Sequence, residues 1–291
     1  MVLAAGLGSR LRPLTDHCAK ALVPVGDRPI LAHVVGRLRA AGVPRVVVNA
    51  HHRSEDIEQF ALGRADFVGV SHEPNLLGTA GGIAHAATML GGGDILVWNA
   101  DILADPDLGA LVAAHDAEAT LVVQRRPAGE GAVGVDESDR IVRLRRVRVG
   151  EERHGADYVC VHVLGAGLRR VLPERGCLVG DVFIPALLRG ARLRAFWHRS
   201  AYFDVGTVDQ YLEANFAWLA ARTASTWVGP GASVSEGVTL DRAVVGAGAR
   251  VDGKGLLSRC VVWPAGQARA PLSGAVVTDA LPHGAFRGPP R

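Results

Sequence analysis

Residues 2–15 read VLAAGLGSRLRPLT. Val2 to Ala5 is a short apolar run suited to a strand, and Gly6 and Gly8 end it before a long apolar segment can form. Without a Cβ, the chain turns tightly there and its backbone N–H groups approach whatever lies opposite. Downstream, β-branched runs at Arg45 to Asn49, Phe67 to Ser71, Asp94 to Trp98 and Ala119 to Gln124 alternate with helical patterns. Those patterns cover Ile30 to Ala41, Ser54 to Leu62, Thr79 to Leu90 and Asp107 to His115, with Ser54 and Thr79 at N-cap positions. The alternation predicts an α/β fold, a Rossmann-like open mixed sheet with helices on both faces. Clefts of such sheets lie beyond the carboxyl ends of the strands, so polar residues just after strands carry the functional interest.

Strands at Ala132 to Asp136, Ile141 to Val149, Tyr158 to Leu164 and Arg192 to Trp197 follow with less helix between them, and Thr207 to Arg222 reads as a long helix. After Ala224 the texture changes. Val228, Val234, Leu240 or Val245, Val251, Leu257 and Val262 recur about every six residues among glycines, the signature of a β-helix whose coils take about three hexapeptides each. The expected organisation is a domain over 1–224, a hexapeptide-repeat β-helix over 225–283 and a flexible tail over 284–291.

Composition narrows the class. The 291 residues are 48% hydrophobic, enough to bury a sizeable core, and no apolar run reaches the roughly 18–20 residues of a membrane span, which predicts a soluble, cytoplasmic protein without a membrane partner. Cys18, Cys160, Cys177 and Cys260 form no C-x-x-C pair, which argues for free thiols. A net charge of +3 with no basic run interleaved with aromatics argues against nucleic acid. The densest basic cluster, Arg143, Arg145, Arg146 and Arg148, alternates like the solvated face of a strand. Of 32 basic residues only Lys20 and Lys254 are lysine, so a compact ammonium at position 20 stands out.

The loop after the first strand fits neither G-x-G-x-x-G nor G-x-x-x-x-G-K-[ST]. Alone it is equally an ordinary strand-to-helix turn. With Arg10, Arg12 and Lys20 close behind, it offers the cations and N–H groups that a triphosphate needs. Asp101 follows the apolar strand DILVW and Asp204 precedes a glycine at a strand-to-helix turn; each alone can be an N-cap or turn residue, and both are hard oxygen donors of the kind that Mg²⁺ takes. His51 and His52 follow a strand with no metal-site spacing.

VLAAGLGSRLRPLT, followed by Lys20 and ALVPVGDRPIL, closely resembles the signature of sugar-1-phosphate nucleotidyltransferases, also called NDP-sugar pyrophosphorylases. EPNLLGTAGGI (73–83), NAD (99–101) and FDVGT (203–207) resemble that family's base and ribose segment, its strand-end metal carboxylate and its late metal motif. The C-terminal hexapeptides resemble the left-handed β-helix of mannose-1-phosphate guanylyltransferases. The resemblance implies transfer of a nucleotidyl group from a nucleoside triphosphate to a sugar-1-phosphate, with release of pyrophosphate and Mg²⁺ as cofactor. It implies catalytic roles for Arg10, Lys20, Asp101 and Asp204, the two aspartates being the metal ligands. Nucleotide-binding roles fall to Leu3, Ala4, Ala5, Gly6, Gly8, Ser9, Arg10, Lys20, Glu73, Gly78 and Thr79. Glu73 stands where relatives place a base-reading side chain; a carboxylate there accepts two N–H groups from guanine, which leans to GTP, or is simply a solvated loop charge.

Three departures stand out. Ala19 replaces the usual Pro before the signature lysine, and the first strand is short, which allows a start further upstream. The acidic-Lys-Pro motif for the sugar phosphate is replaced by RLRRVRVG. Gly134 fits the substrate-side glycine, and Arg145 or Arg146 is the candidate to take over the phosphate. A uridylyl- or thymidylyltransferase of the same family, a non-catalytic nucleotide-sugar sensor and a β-helix acyltransferase are the rival readings, with GTP and mannose-1-phosphate slightly favoured, and the uncovered β-helix coils predict a homodimer.

Overall fold

The opening strand is short, Val2–Leu3, and it lies inside a sheet between Val46–Ala50 and Ile95–Asn99, parallel to both. Val68–His72 continues the parallel part beyond Val46–Ala50. On the other side, His154–Leu164 runs antiparallel to Ile95–Asn99 and also pairs with Ala119–Arg126 and Val133–Val135. Leu193–His198 joins Ala119–Arg126 in parallel, and Ile141–Leu144 and Val147–Arg148 complete a ten-stranded sheet among the described residues. The computed structural model describes residues 1–279 and the backbone of 285–287. Its chain divides into two compact units, Met1–Gly6 with Val34–Tyr202, and Leu7–His33 with Phe203–Arg291.

The first unit is mixed α/β with a parallel-rich sheet, as the alternating pattern predicts. One face of the sheet packs Val97, Leu121, Val123 and Val135 against Ala80 and Ile83 of the helix Gly78–His85, and against Phe183, Ala186 and Leu187. Each such large side chain contributes on the order of 1.5–3 kcal/mol by leaving water. Strand positions match the expected ones to within one or two residues, with His154–Leu164 extended further at its start.

Helix ends differ from expectation. Ser54 is the first helical residue of Ser54–Leu62 rather than its cap, and Arg53 precedes it in a left-handed conformation. Thr79 lies inside Gly78–His85, and its hydroxyl accepts from the Leu178 N–H at 2.7 Å instead of capping. The pattern over Thr79 to Leu90 breaks at Ala86 into two helices. The single strand expected over Ile141 to Val149 is a hairpin, turned at Arg145 with φ 54°.

The second unit contains the repeat region. Thr226 lies beside Ala243, Val244 beside Val261 and Val261 beside Val276, all in parallel, so successive circuits of about three hexapeptides stack on one another. A second parallel ladder joins Ser233–Val234 and Val238–Asp241 to Arg250–Ser258, and that strand to Gln267–Ser273. Val245, Val251, Leu257, Val262 and Val277 fill the interior together with Cys260. None of the four cysteines is joined in a disulfide. Within the expected tail, Ala285–Arg287 pairs antiparallel with Ala275–Val277; 284 and 288–291 lie outside the described residues.

The helix Val208–Ala220 organises this unit. Thr207 caps it, its hydroxyl accepting from the Gln210 N–H, while Gln210 Oε1 accepts from the Gly206 N–H at 3.2 Å. Tyr211 is fully buried; its hydroxyl donates to the Pro24 carbonyl at 2.6 Å and accepts from Trp263 Nε1 at 2.9 Å. Asn215 Oδ1 accepts from the Gly26 N–H at 2.9 Å. Among the described residues no helix is long and apolar enough to cross a membrane.

Tyr211→Phe keeps the ring but removes both hydroxyl hydrogen bonds, leaving the Trp263 N–H and the Pro24 carbonyl without this partner. A loss of about 2–4 kcal/mol in apparent stability is expected, read from urea unfolding followed by tryptophan fluorescence.

Candidate active site

The parallel strands of the first unit end together. Leu3 is level with Asn49 and Asn99, and Ala50 with His72, so the residues after these strands share one edge of the sheet. Ala4, Ala5, Gly6, Glu73 and Asp101 follow directly, and the Ala100 N–H donates to the Leu3 carbonyl at 2.9 Å. Asp101 is half-buried and Gly6 is exposed.

Glu73 is neither a solvated loop charge nor an open reader of a base. It is 1% exposed; Oε1 accepts from Asn49 Nδ2 at 2.6 Å and Oε2 from the Leu77 N–H at 3.1 Å. Asn49 Oδ1 in turn accepts from the Ala4 N–H at 2.7 Å, so that N–H is already used inside the protein. His51 Nδ1 lies 2.9 Å from the Glu73 carbonyl. Asn49 had no motif to mark it, and this role was not foreseen.

A cavity of about 410 Å³ opens in the same unit, and three of the expected site residues, Leu3, Thr79 and Arg145, line it. Asn99, Asp157, Tyr158, Cys160, His162, Cys177 and Tyr202 line it as well. Tyr158, Cys160 and His162 come from alternate positions of one strand. Gly78 is exposed next to Thr79 at the helix start. Arg145 and Arg146 form the hairpin turn, yet only Arg145 reaches the cavity wall.

The basic cluster is not simply a solvated face. Arg143 Nε donates to Glu152 Oε2 at 2.6 Å, and the Glu152 side chain is 1% exposed. Burial pushes the Glu152 carboxyl up, but hydrogen bonds from Arg143 and the Gly129 N–H outweigh it and hold the group below its ordinary value. A Cβ at Gly134 would collide with the Glu152 carboxylate and come within 2.8 Å of Arg143 Cβ, so glycine is needed there by the ion pair itself.

The remaining candidates sit in the second unit. Gly8 turns with φ 63°, the Thr15 hydroxyl donates to its carbonyl at 2.9 Å, and a Cβ on it would lie 3.1 Å from Lys20 Cβ. The base of the Lys20 side chain therefore lies against the loop. Ser9–Leu11 form a tight turn with Ser9 and Arg10 exposed. A Cβ built on Gly206 would lie 2.9 Å from Arg10 Nη2 and 3.2 Å from Asp204 Oδ1. A guanidinium and a carboxylate thus flank one glycine at the start of Val208–Ala220.

Among the described residues no group of three or more His, Cys, Asp or Glu is placed to hold a metal ion. Asp101 and Asp204 are both half-buried hard oxygen donors, which suits Mg²⁺, an ion that takes few protein carboxylates and completes its shell with phosphates and water.

A sequence profile of the nucleotidyl transferase family matches residues 1–145. The chain belongs to the nucleotidyl transferase family. Mannose-1-phosphate guanylyltransferase of Mycobacterium tuberculosis is 27% identical over 89% of this chain and 82% of its own length. N-acetylmuramate alpha-1-phosphate uridylyltransferase of Caulobacter vibrioides is 42% identical over 38% of this chain, about half of that relative at 49%. The crystal structure of HddC from Yersinia pseudotuberculosis, complexed with GMP-PN, superposes with a TM-score of 0.63 at 19% identity, over 75% of this chain and 97% of that one, a likeness of fold.

In this transferase, the cavity wall contains a group whose charge is fixed by burial. Tyr158 Oη and His162 Nδ1 are 2.6 Å apart, and burial pushes the His162 imidazole down to about 3 from its ordinary value of 6.5. The ring is therefore neutral at neutral pH, Nδ1 accepts from the tyrosine hydroxyl, and the proton rests on Nε2, which has no partner among the described residues. As pH falls below 6.5 the unfolded chain takes up this proton first, so stability is complete above that pH and is lost as pH falls towards about 3. His162→Phe is expected to narrow the gap between melting temperatures at about pH 7 and about pH 4.5. An unchanged gap in a scanning-fluorescence comparison would show that the acid sensitivity lies elsewhere.

Proposed function

We propose that the enzyme transfers a nucleotidyl group from a nucleoside triphosphate to a sugar-1-phosphate, releasing pyrophosphate, with GTP and mannose-1-phosphate the favoured pair. The observation that carries this reading is the bracket around Gly206, where Arg10 and Asp204 flank one backbone position at a helix start. A cation for phosphate and a carboxylate for a metal are the two charges the transfer needs side by side. The guanylyltransferase relative, matched over most of both chains, supports the pair of substrates.

The acceptor phosphate is already an anion, so its oxygen attacks the α-phosphorus without a general base and pyrophosphate leaves in line. What the chain supplies is position and charge. Exposed Arg10 is the cation for the leaving pyrophosphate; Lys20, whose first carbon lies against the Gly8 turn, is the one to hold the phosphates near the reacting centre. Leu3 and Thr79 line the wall on which base and ribose rest, and Arg145 on the same cavity takes the acceptor phosphate in place of the missing lysine. Asp101 and Asp204 are the residues to hold Mg²⁺, which when bound neutralises phosphate charge. Because Glu73 presents no open edge, base choice falls to other groups. Uridylyl transfer is the second reading, favoured by the 42% identity to the uridylyltransferase.

The assay is pyrophosphate release with each nucleoside triphosphate against a panel of sugar-1-phosphates and Mg²⁺. GTP with mannose-1-phosphate is expected to turn over fastest, Asp101→Asn and Asp204→Asn to lose about 10²-fold or more in kcat, and Arg145→Ala to raise KM for the acceptor alone. Nucleotide binding with no turnover for any pair would favour a sensor; a fully active aspartate variant would overturn the metal assignment.

The repeat region is read as a left-handed β-helix that joins two copies of the chain. Sedimentation should give about twice the 30.5 kDa chain mass, and a mass of one chain at micromolar protein would refute the dimer.

A further inference from the structure

Two thiols line the cavity of the first unit, Cys160 and Cys177, and the transfer reaction uses neither. Their surroundings differ in a way that separates their chemistry. Cys160 is half-buried and its thiol donates towards the Tyr158 carbonyl at 3.8 Å, a contact made by the protonated form. Cys177 is exposed, and Arg145 Nη2 donates to its sulfur at 3.7 Å. The N–H groups of Val179 and Gly180 point at the same sulfur. Burial pushes the Cys177 thiol up, but the two N–H groups and the guanidinium outweigh it and bring the group below its ordinary value. Both thiols lie within electrostatic reach of the Tyr158 hydroxyl, which fixes them on one stretch of wall.

The guanidinium on Cys177 is the one assigned above to the acceptor phosphate. Arg145 lies on a hairpin turn, and a Cβ on Gly180 would stand 3.6 Å from its Nη1, so it rests across the segment that carries Cys177. The thiolate and an incoming phosphate are anions drawn to the same cation.

We propose that Cys177 is a modification site inside the acceptor cavity, open to a hydroperoxide or an alkylating electrophile while the cavity is empty and shielded when a sugar-1-phosphate occupies Arg145. The shielding rests on the proposed function; the selective reactivity does not. In the oxidation the thiolate attacks one peroxide oxygen, an S–O bond forms as the O–O bond breaks, and hydroxide leaves and is protonated to water. Sulfur gives up two electrons, the peroxide accepts them, and the product is a sulfenic acid that added thiol reduces back. The added oxygen sits against Arg145 and weakens acceptor binding.

The test uses the full chain. Iodoacetamide labelling, followed site by site by peptide mass spectrometry, should modify Cys177 about tenfold faster than Cys160 at neutral pH, and mannose-1-phosphate or inorganic phosphate should slow Cys177 several-fold. Hydrogen peroxide should raise the acceptor KM of the native enzyme and of Cys160→Ser, with reversal by dithiothreitol, and should leave Cys177→Ser unaffected. Equal labelling of the two thiols, or peroxide sensitivity retained in Cys177→Ser, would overturn the proposal. Rapid labelling of Cys177 in a protein that turns over no acceptor would sink the transfer reading and leave the reactive thiol standing, so the two failures are distinguishable.

Discussion

Glu73 puts a carboxylate where water does not reach, and the edge of the sheet is arranged to answer it. Its two oxygens take the Asn49 amide and the Leu77 N–H, and Asn49 passes the constraint on to the Ala4 N–H. Three chain segments, the end of Val2–Leu3, the strand Val46–Ala50 and the turn before Gly78–His85, are thereby held in one network. Removing one member would leave buried polar groups unanswered, at a cost of about 1–3 kcal/mol for each. Leu3 and Thr79 reach the cavity wall from segments fixed in this way, so the position of the wall follows from a group that is not part of its lining.

A similar division of labour recurs on the hairpin side of the cavity. Arg143 and Glu152 satisfy each other beneath the hairpin, and the glycine at 134 leaves them room. The turn above, with Arg145 at its tip, is then free to vary in sequence without disturbing the sheet. That is a physical reason why an arginine can stand where related enzymes use an acidic-Lys-Pro motif.

Much of this was legible in the chain. Strand-forming runs are β-branched and buried, so Val46–Ala50, Val68–His72 and Ile95–Asn99 fall within a residue or two of where the pattern puts them. The residues after them share one edge of the sheet, as the parallel pattern implies, because strand ends of parallel sheets face one way. The hairpin at Arg145 was missed since no Gly, Asn or Pro marks it, and an arginine at φ 54° is unusual. Burial of Glu73 depends on Asn49, far away in sequence, and no local spacing announces it. The polar face of the cavity did have a signal. Tyr158, Cys160 and His162 interrupt an apolar strand at every second residue, a polar set on the side that also carries Ala156 and Leu164 into the core.

The hydrogen bonds of the second unit join residues remote in the chain: Gly26 meets Asn215, and Pro24 meets Tyr211, which in turn meets Trp263. A ribosome delivers the N-terminus first. The segment Leu7–His33, with the Gly8 turn and Lys20, is translated before the helix that anchors it, Asn215 following Gly26 by 189 residues. In the nascent chain, then, the Gly8-turn segment waits without its anchor while the whole stretch Val34–Tyr202 is made, and a motif translated early is secured late.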